Sequence, residues 1–204
     1  VADPNVEGSL IAAGCDGLYR TEDGGWSWSP LSTSLDNPLW EEYQARQIAP
    51  VYFADGDEAT LQNLYALVAT EEGLSKLLYS DDAGESWMEI TPPDVEARFN
   101  ALTADLEEIG RVWLTEENGV WSTEDQGQYW GLSMRGLDDA IARGLTEILL
   151  TPSEQLYLGS GLGMYGKEVT DTLWSKVGNR TIQRQDVQGL LYTESGDTQL
   201  WINA

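Results

Sequence analysis

Short apolar and aromatic runs alternate with polar, glycine- and aspartate-rich turns along the chain, and their lengths suit β-strands rather than helices. Ser9–Ala13, Gly17–Arg20 and Trp28–Leu31 read as three strands. Four more follow at Gln47–Phe53, Leu64–Ala69, Ser75–Tyr79 and Trp87–Ile90, with an acidic insertion from Ala54 to Asn63 between the first two. The next four are Phe99–Ala104, Arg111–Thr115, Gly119–Ser122 and Trp130–Ser133, and then Leu145–Leu150, Gln155–Gly159, Met164–Lys167 and Trp174–Val177. Val187–Thr193 and Gln199–Asn203 close the series. Leu137–Ala142 reads as a helical turn, and Leu35 to Gln44 as a polar connector carrying Trp40 and Tyr43. The pattern is that of one all-β domain over residues 1–204, with units near 7–34, 46–93, 98–134 and 144–178 and a partial one at 186–204.

Three of the turns share the pattern Ser/Thr-x-Asp-x-Gly-x-x-Trp. They run from Thr21 through Asp23 and Gly25 to Trp28, from Ser80 through Asp82 and Gly84 to Trp87, and from Thr123 through Asp125 and Gly127 to Trp130. In such a turn Asp accepts hydrogen bonds from nearby amides, Gly supplies a backbone conformation that a side chain opposes, and Trp covers the turn. A decayed fourth copy, Lys167 to Trp174, keeps only the Trp. Trp87 to Trp130 is 43 residues and Trp130 to Trp174 is 44, the period of a four-stranded propeller blade, while the acidic insertion stretches Trp28 to Trp87 to 59.

The three octapeptides resemble Asp-box, or BNR, repeats, which occur in sialidases, sortilin-type receptors, xyloglucan-cleaving enzymes and the photosystem II assembly propeller. The resemblance implies a β-propeller of four-stranded antiparallel blades, about four and a half in this chain, with the boxes as structural hairpins away from any active centre. The first unit lacks its first strand, which Val187–Thr193 could supply, but Gln199–Asn203 would then duplicate Ser9–Ala13. A piece of a longer propeller, an irregular closure and closure by a second chain all fit; the first is preferred, and an open edge needs a cover.

Composition narrows the partners. Thirty-five acidic against eleven basic residues give a net charge of -24, which disfavours nucleic acid and anionic membrane surfaces. The acidity reads as a solvated surface; Asp55-Gly56-Asp57-Glu58 lacks the ligand spacing of a calcium loop. With no His and the single Cys15, zinc, an internal disulfide and His-dependent catalysis are excluded, and Cys15 reads as a small buried residue. No metal and no cofactor is called for. No apolar run approaches a membrane span. The chain opens on Val1-Ala2-Asp3-Pro4 with neither Met nor a signal sequence, as a mature exported form or a cut piece would, and an extracytoplasmic location is expected. Gly159-Ser160-Gly161-Leu162-Gly163 lacks the Lys-Ser/Thr ending of a phosphate loop and reads as a tight strand connection. Nine Trp and nine Tyr against two Phe suit sheets packed face to face, with Trp113, Trp121 and Trp201 in blade interiors and Trp26 less explained.

Four of the eight Arg stand ahead of a first strand: Arg46, Arg98, Arg143 and Arg184. In a propeller those strands line the channel, so the four would ring its mouth and could take carboxylate, sulfate or phosphate bidentately. Local acids such as Glu41, Glu42, Glu96, Asp138, Asp139 and Asp186 could instead pair with them. Trp40 and Tyr43 could add an aromatic platform for a sugar or a partner side chain. Sialidases of the resembling family use an arginine triad, a Tyr nucleophile with Glu, and an acid/base Asp, but no Arg-Ile-Pro motif is present here. The xyloglucan-cleaving members need two Asp across a cleft between two propellers. The expectation is therefore a non-catalytic, exported or cell-surface module that binds a protein partner or further propeller blades, and possible ligands are carbohydrate or anionic groups. A glycoside hydrolase, or a fragment of one, is the competing reading.

Overall fold

A computed structural model describes residues 6–14, 17–30, 43–53, 60–105, 108–141, 143–195 and 197–203. The chain divides into two compact units. One holds Val1–Ala97 with Ala104–Arg111 and Glu124–Tyr129, and the other Arg98–Thr103, Val112–Thr123 and Trp130–Ala204.

In the first unit β1 (Leu10–Gly14), β2 (Gly17–Thr21) and β3 (Ser29–Pro30) form a three-stranded antiparallel sheet. Strands β4 (Tyr43–Phe53), β5 (Thr60–Thr70), β6 (Ser75–Ser80) and β7 (Met88–Glu89) form a four-stranded one in sequence order. Leu64 to Val68 are each at most 1% exposed, which explains why this strand reads as an unbroken apolar run rather than an alternation: both faces are covered. Tyr65 and Tyr79 pack with ring centroids 5.1 Å apart. Both hydroxyls are used: Tyr65 accepts from the Gly110 amide at 3.0 Å, and Tyr79 donates to Asn63 Oδ1 at 2.7 Å. Burial raises both phenols above their ordinary value of 10.0, so they act as neutral hydrogen-bonding groups.

The expected insertion from Ala54 to Asn63 is shorter than its sequence suggests. Thr60 to Asn63 continue β5 and Tyr43 to Arg46 begin β4, because Phe53 pairs with Thr60 and Tyr43 with Thr70 in one long hairpin. Residues 54–59 lie outside the described residues, as do Cys15, Trp40 and the connector residues 31–42.

In the second unit β8 (Ala101–Ala104), β9 (Val112–Glu116), β10 (Gly119–Thr123) and β11 (Gly131–Ser133) form one sheet. Strands β12 (Leu145–Leu150), β13 (Gln155–Ser160), β14 (Gly163–Glu168) and β15 (Ser175–Val177) form another. Strands β16 (Gly189–Ser195) and β17 (Asp197–Asn203) form a two-stranded hairpin among the described residues. The core is built around Trp113, Leu145, Leu158, Tyr165 and Trp174, closed by Leu137 and by Ala140 on the short helix α1 (Asp138–Ile141) that follows it. Ser160 pairs with Gly163 across the tight connection that the glycine run suggested.

The octapeptide turns share one hydrogen-bond scheme. Ser80 Oγ accepts from the Gly84 amide at 2.8 Å and donates to Asp82 Oδ1 at 2.7 Å. Asp82 in turn accepts from the Ser86 amide at 2.8 Å, and Trp87 Nε1 donates to the Gly84 carbonyl at 3.0 Å. Thr21, Asp23, Gly25, Ser27 and Trp28 repeat every one of these bonds, and Asp125 takes the Tyr129 amide at 2.9 Å. The glycines Gly25, Gly84 and Gly127 have φ of 97°, 93° and 84°, and the residue before each, Gly24, Ala83 and Gln126, is left-handed too. In the third turn Trp130 Nε1 is buried without a hydrogen-bond partner among the described residues.

Candidate binding site

Hydrogen bonds between successive first strands set the register of the arginines in the second unit. Asn100 Nδ2 donates to the Leu145 carbonyl at 2.7 Å, and the Thr146 hydroxyl donates to the Val187 carbonyl. Asn100 and Thr146 thus do the same job on successive strands, which aligns Leu145 with Val187; Arg143 stands two residues before that position and Arg184 three, so the arginines are staggered and share no single position. The backbone at Arg143 is held tightly as well: a Cβ on Gly161 would fall 2.8 Å from the Arg143 carbonyl oxygen.

Arg46 is offset as well. Ser80 pairs with Leu64 and Leu64 with Pro50, while Lys167 pairs with Leu156 and Leu156 with Leu150. Counting back through the bulge that each strand carries, at Arg46 and at Thr146, brings Arg46 level with Thr146 and Tyr43 level with Arg143. Tyr43 therefore starts a strand instead of decorating a connector, and it takes the place that Arg143 holds in the β12 sheet. The sequence reading missed this because the bulge adds a residue that strand periodicity does not show. The side chains of Tyr43 and Arg46 are outside the described residues, as is Trp40.

Arg98, Arg143 and Arg184 are exposed, the last on a 3-10 turn, Ile182–Arg184, that the sequence did not suggest. None of the three forms an ion pair among the described residues. Asp139, one of the acids close by in sequence, pairs instead with Lys176 at 3.4 Å. In a chain of net charge -24, three guanidinium groups with free donor forks are suited to anionic oxygens.

The buried acids serve the fold. Asp105 binds Arg111 at 2.9 Å, and Glu116 accepts from Trp121 Nε1 at 3.1 Å. Glu147 accepts the Ile148 amide at 3.1 Å, and burial lifts its carboxyl above the ordinary value. Among the described residues no group of three His, Cys, Asp or Glu is placed to hold a metal ion, and no helix is long and apolar enough to cross a membrane.

The octapeptide turns lie away from the arginines. Leu145, at the start of β12, pairs with Ser160 beside the β13–β14 connection, so the β14–β15 connection is at the other end of the sheet. Trp26 and Tyr129, 92% and 80% exposed, stand on two of the turns.

No protein-family model and no curated protein matches the sequence. Solved structures do. The protein described as YCF48 bound to D1 peptide superposes with a TM-score of 0.59 at 21% identity, over 95% of this chain and 57% of its own. The GH74 xyloglucanase from Xanthomonas campestris gives 0.63 at 18% identity, over 95% of this chain and 31% of its own. A luciferin-regenerating enzyme gives 0.62 at 8% identity, over 92% and 63%. This chain spans less than two thirds of each of the three. At such identities the likeness concerns fold, and the three differ too much in what they do for fold to carry function. With its four-stranded antiparallel sheets and these neighbours, the chain has a β-propeller fold.

Proposed function

We propose that the chain is a non-catalytic propeller module, or part of one, that recognises a protein partner through acidic groups docking on Arg98, Arg143 and Arg184. The observation that carries this reading is that three exposed arginines precede three successive strands, none in an ion pair among the described residues, on a strongly acidic protein. Charge of opposite sign concentrated at one place steers a partner and selects it. A structural neighbour, YCF48, is described as bound to a D1 peptide, which lends the fold a precedent for holding a polypeptide. The octapeptide turns are read as Asp-box repeats that brace the blades without touching the partner. Further blades or a second chain would complete the two- and three-stranded sheets, and the setting is extracytoplasmic.

Hydrolysis of a glycan is the second reading, favoured by the lifted carboxyl of Glu147, since a general acid needs such a shift. It also needs a facing carboxylate, and Asp105 and Glu116 are already engaged, with Arg111 and Trp121.

Titration calorimetry with hexaglutamate, and with hexaglutamine as control, tests the first reading. Binding of the acidic peptide alone, weakening with salt and falling at least tenfold in Arg98→Ala/Arg143→Ala at unchanged melting temperature, is expected. Equal binding of both peptides, or no loss in the double variant, contradicts it.

A further inference from the structure

The fourth octapeptide is not merely a worn copy of the other three. Lys167 stands where they carry Ser or Thr, Val169 where they carry Asp, and Asp171 where they carry Gly. In the intact turns the first residue's hydroxyl accepts from the fifth residue's amide; here the polarity is reversed, and Lys167 Nζ donates to the Asp171 carbonyl at 2.7 Å. That carbonyl position is the one which Trp28 and Trp87 use. Trp174 Nε1 instead donates to Ser133 Oγ at 3.0 Å, and its backbone amide to the Arg135 carbonyl at 2.9 Å, docking the turn against β11.

A cleft of about 290 Å³ opens between the two. Gly131, Leu132 and Met134 line one side, Lys167 and Asp171 the other, and Arg135 reaches across to donate to Thr172 Oγ1 at 3.3 Å. Two cations face one carboxylate, and neither cation forms an ion pair among the described residues. The Lys167 ammonium lies 5.4 Å from the Trp174 ring centroid, and burial lowers it from its ordinary value despite the neighbouring Asp171 charge, so an arriving anion relieves an unbalanced cation. Leu132 and Met134 are 38% and 47% exposed, which leaves apolar surface beside the charges. A Cβ on Gly131 would meet nothing within 4 Å, so the cleft has free space at its wall.

We propose that this cleft is a second binding site, which takes the carboxylate of an acidic polypeptide segment between Arg135 and Lys167 and seats an adjoining apolar side chain on Leu132 and Met134. The volume suits one or two side chains, not a folded surface. None of the arginines of the first site takes part, so the two sites stand or fall separately.

The probe is acetyl-Leu-Asp-Leu-amide, followed through the Trp174 indole N–H in 1H–15N NMR spectra, with acetyl-Leu-Asn-Leu-amide as control. Saturable binding of the Asp peptide is expected, at least tenfold weaker for the Asn peptide and in Arg135→Gln or Lys167→Gln. Gly131→Leu, which leaves both cations in place and fills the free space, should abolish it. Thermal melting of each variant within a few degrees of the parent shows that the fold persists. Equal affinity for the two peptides, affinity unchanged by the substitutions, or no saturation up to about 10 mM overturns the proposal.

Discussion

Lys167 and Trp174 exchange hydrogen-bond partners relative to the intact turns: the ammonium occupies the carbonyl at the fifth position, and the indole, released from it, bonds the preceding sheet at Ser133. A rim turn has thereby become an inter-sheet clamp, with Trp174 only 2% exposed where Trp28 is 42% exposed.

Removing the clamp should therefore cost more than removing a turn tryptophan. Trp174→Ala is expected to destabilise by about 3–5 kcal/mol, as buried large-to-small changes do. Ser133→Ala strands a buried indole N–H and should cost about 1–3 kcal/mol. Trp28→Ala should cost clearly less than Trp174→Ala, and urea denaturation of the three variants checks the order.

Ala83 and Gln126 hold φ of 59° and 57°, at the place where the first turn has Gly24. A left-handed alanine is strained by roughly 1 kcal/mol, so Ala83→Gly should raise stability by several tenths of a kcal/mol despite the added chain entropy of glycine. A higher urea midpoint with an unchanged slope is the expected result.

Gly136 and Gly144 separate crowding from backbone strain. Both have positive φ, 88° and 86°, but a Cβ at Gly136 would lie 2.1 Å from the Trp174 carbonyl oxygen whereas one at Gly144 would meet nothing within 4 Å. Gly144→Ala should cost roughly 1 kcal/mol, the strain alone. Gly136→Ala must move the clamp and should cost several-fold more in the same denaturation assay.

Acid dependence follows from three carboxyls. At Asp82 burial pushes upward, but the Ser86 hydroxyl and amide and the Ser80 hydroxyl outweigh it and hold the group below its ordinary 3.8. Asp23 is held below the same value, by the Ser27 hydroxyl and amide and the Thr21 hydroxyl. Such groups contribute stability that is complete above 3.8 and is lost as pH falls through their lower folded values. Glu147 acts in the opposite sense: lifted above 4.5 by burial, it keeps a proton that the unfolded chain releases, so its stabilising share fades as pH rises from 4.5 through the lifted value. Asp82→Asn should flatten the loss of stability below pH 4, and Glu147→Gln should raise the midpoint at pH 7 while leaving it unchanged near pH 3.

Strand order and the turns were legible in the sequence because each turn is a local device: Ser80, Asp82, Gly84 and Trp87 satisfy one another within eight residues. The register of the arginines was legible only in part. A bulge brings Arg46 level with Thr146 and Tyr43 level with Arg143, and no periodicity reports a bulge. The cleft beside Lys167 was invisible because it depends on Trp174 reaching Ser133, a partner 41 residues away.

The claim that the propeller fold serves here to hold a protein partner is tested most directly by native mass spectrometry of the protein gently extracted from its source, beside the denatured mass of the same chain. A defined complex with a second polypeptide, which Arg98→Glu/Arg143→Glu dissociates, is expected. A wild-type protein found free at its own denatured mass, and active in cleaving a glycan, contradicts it.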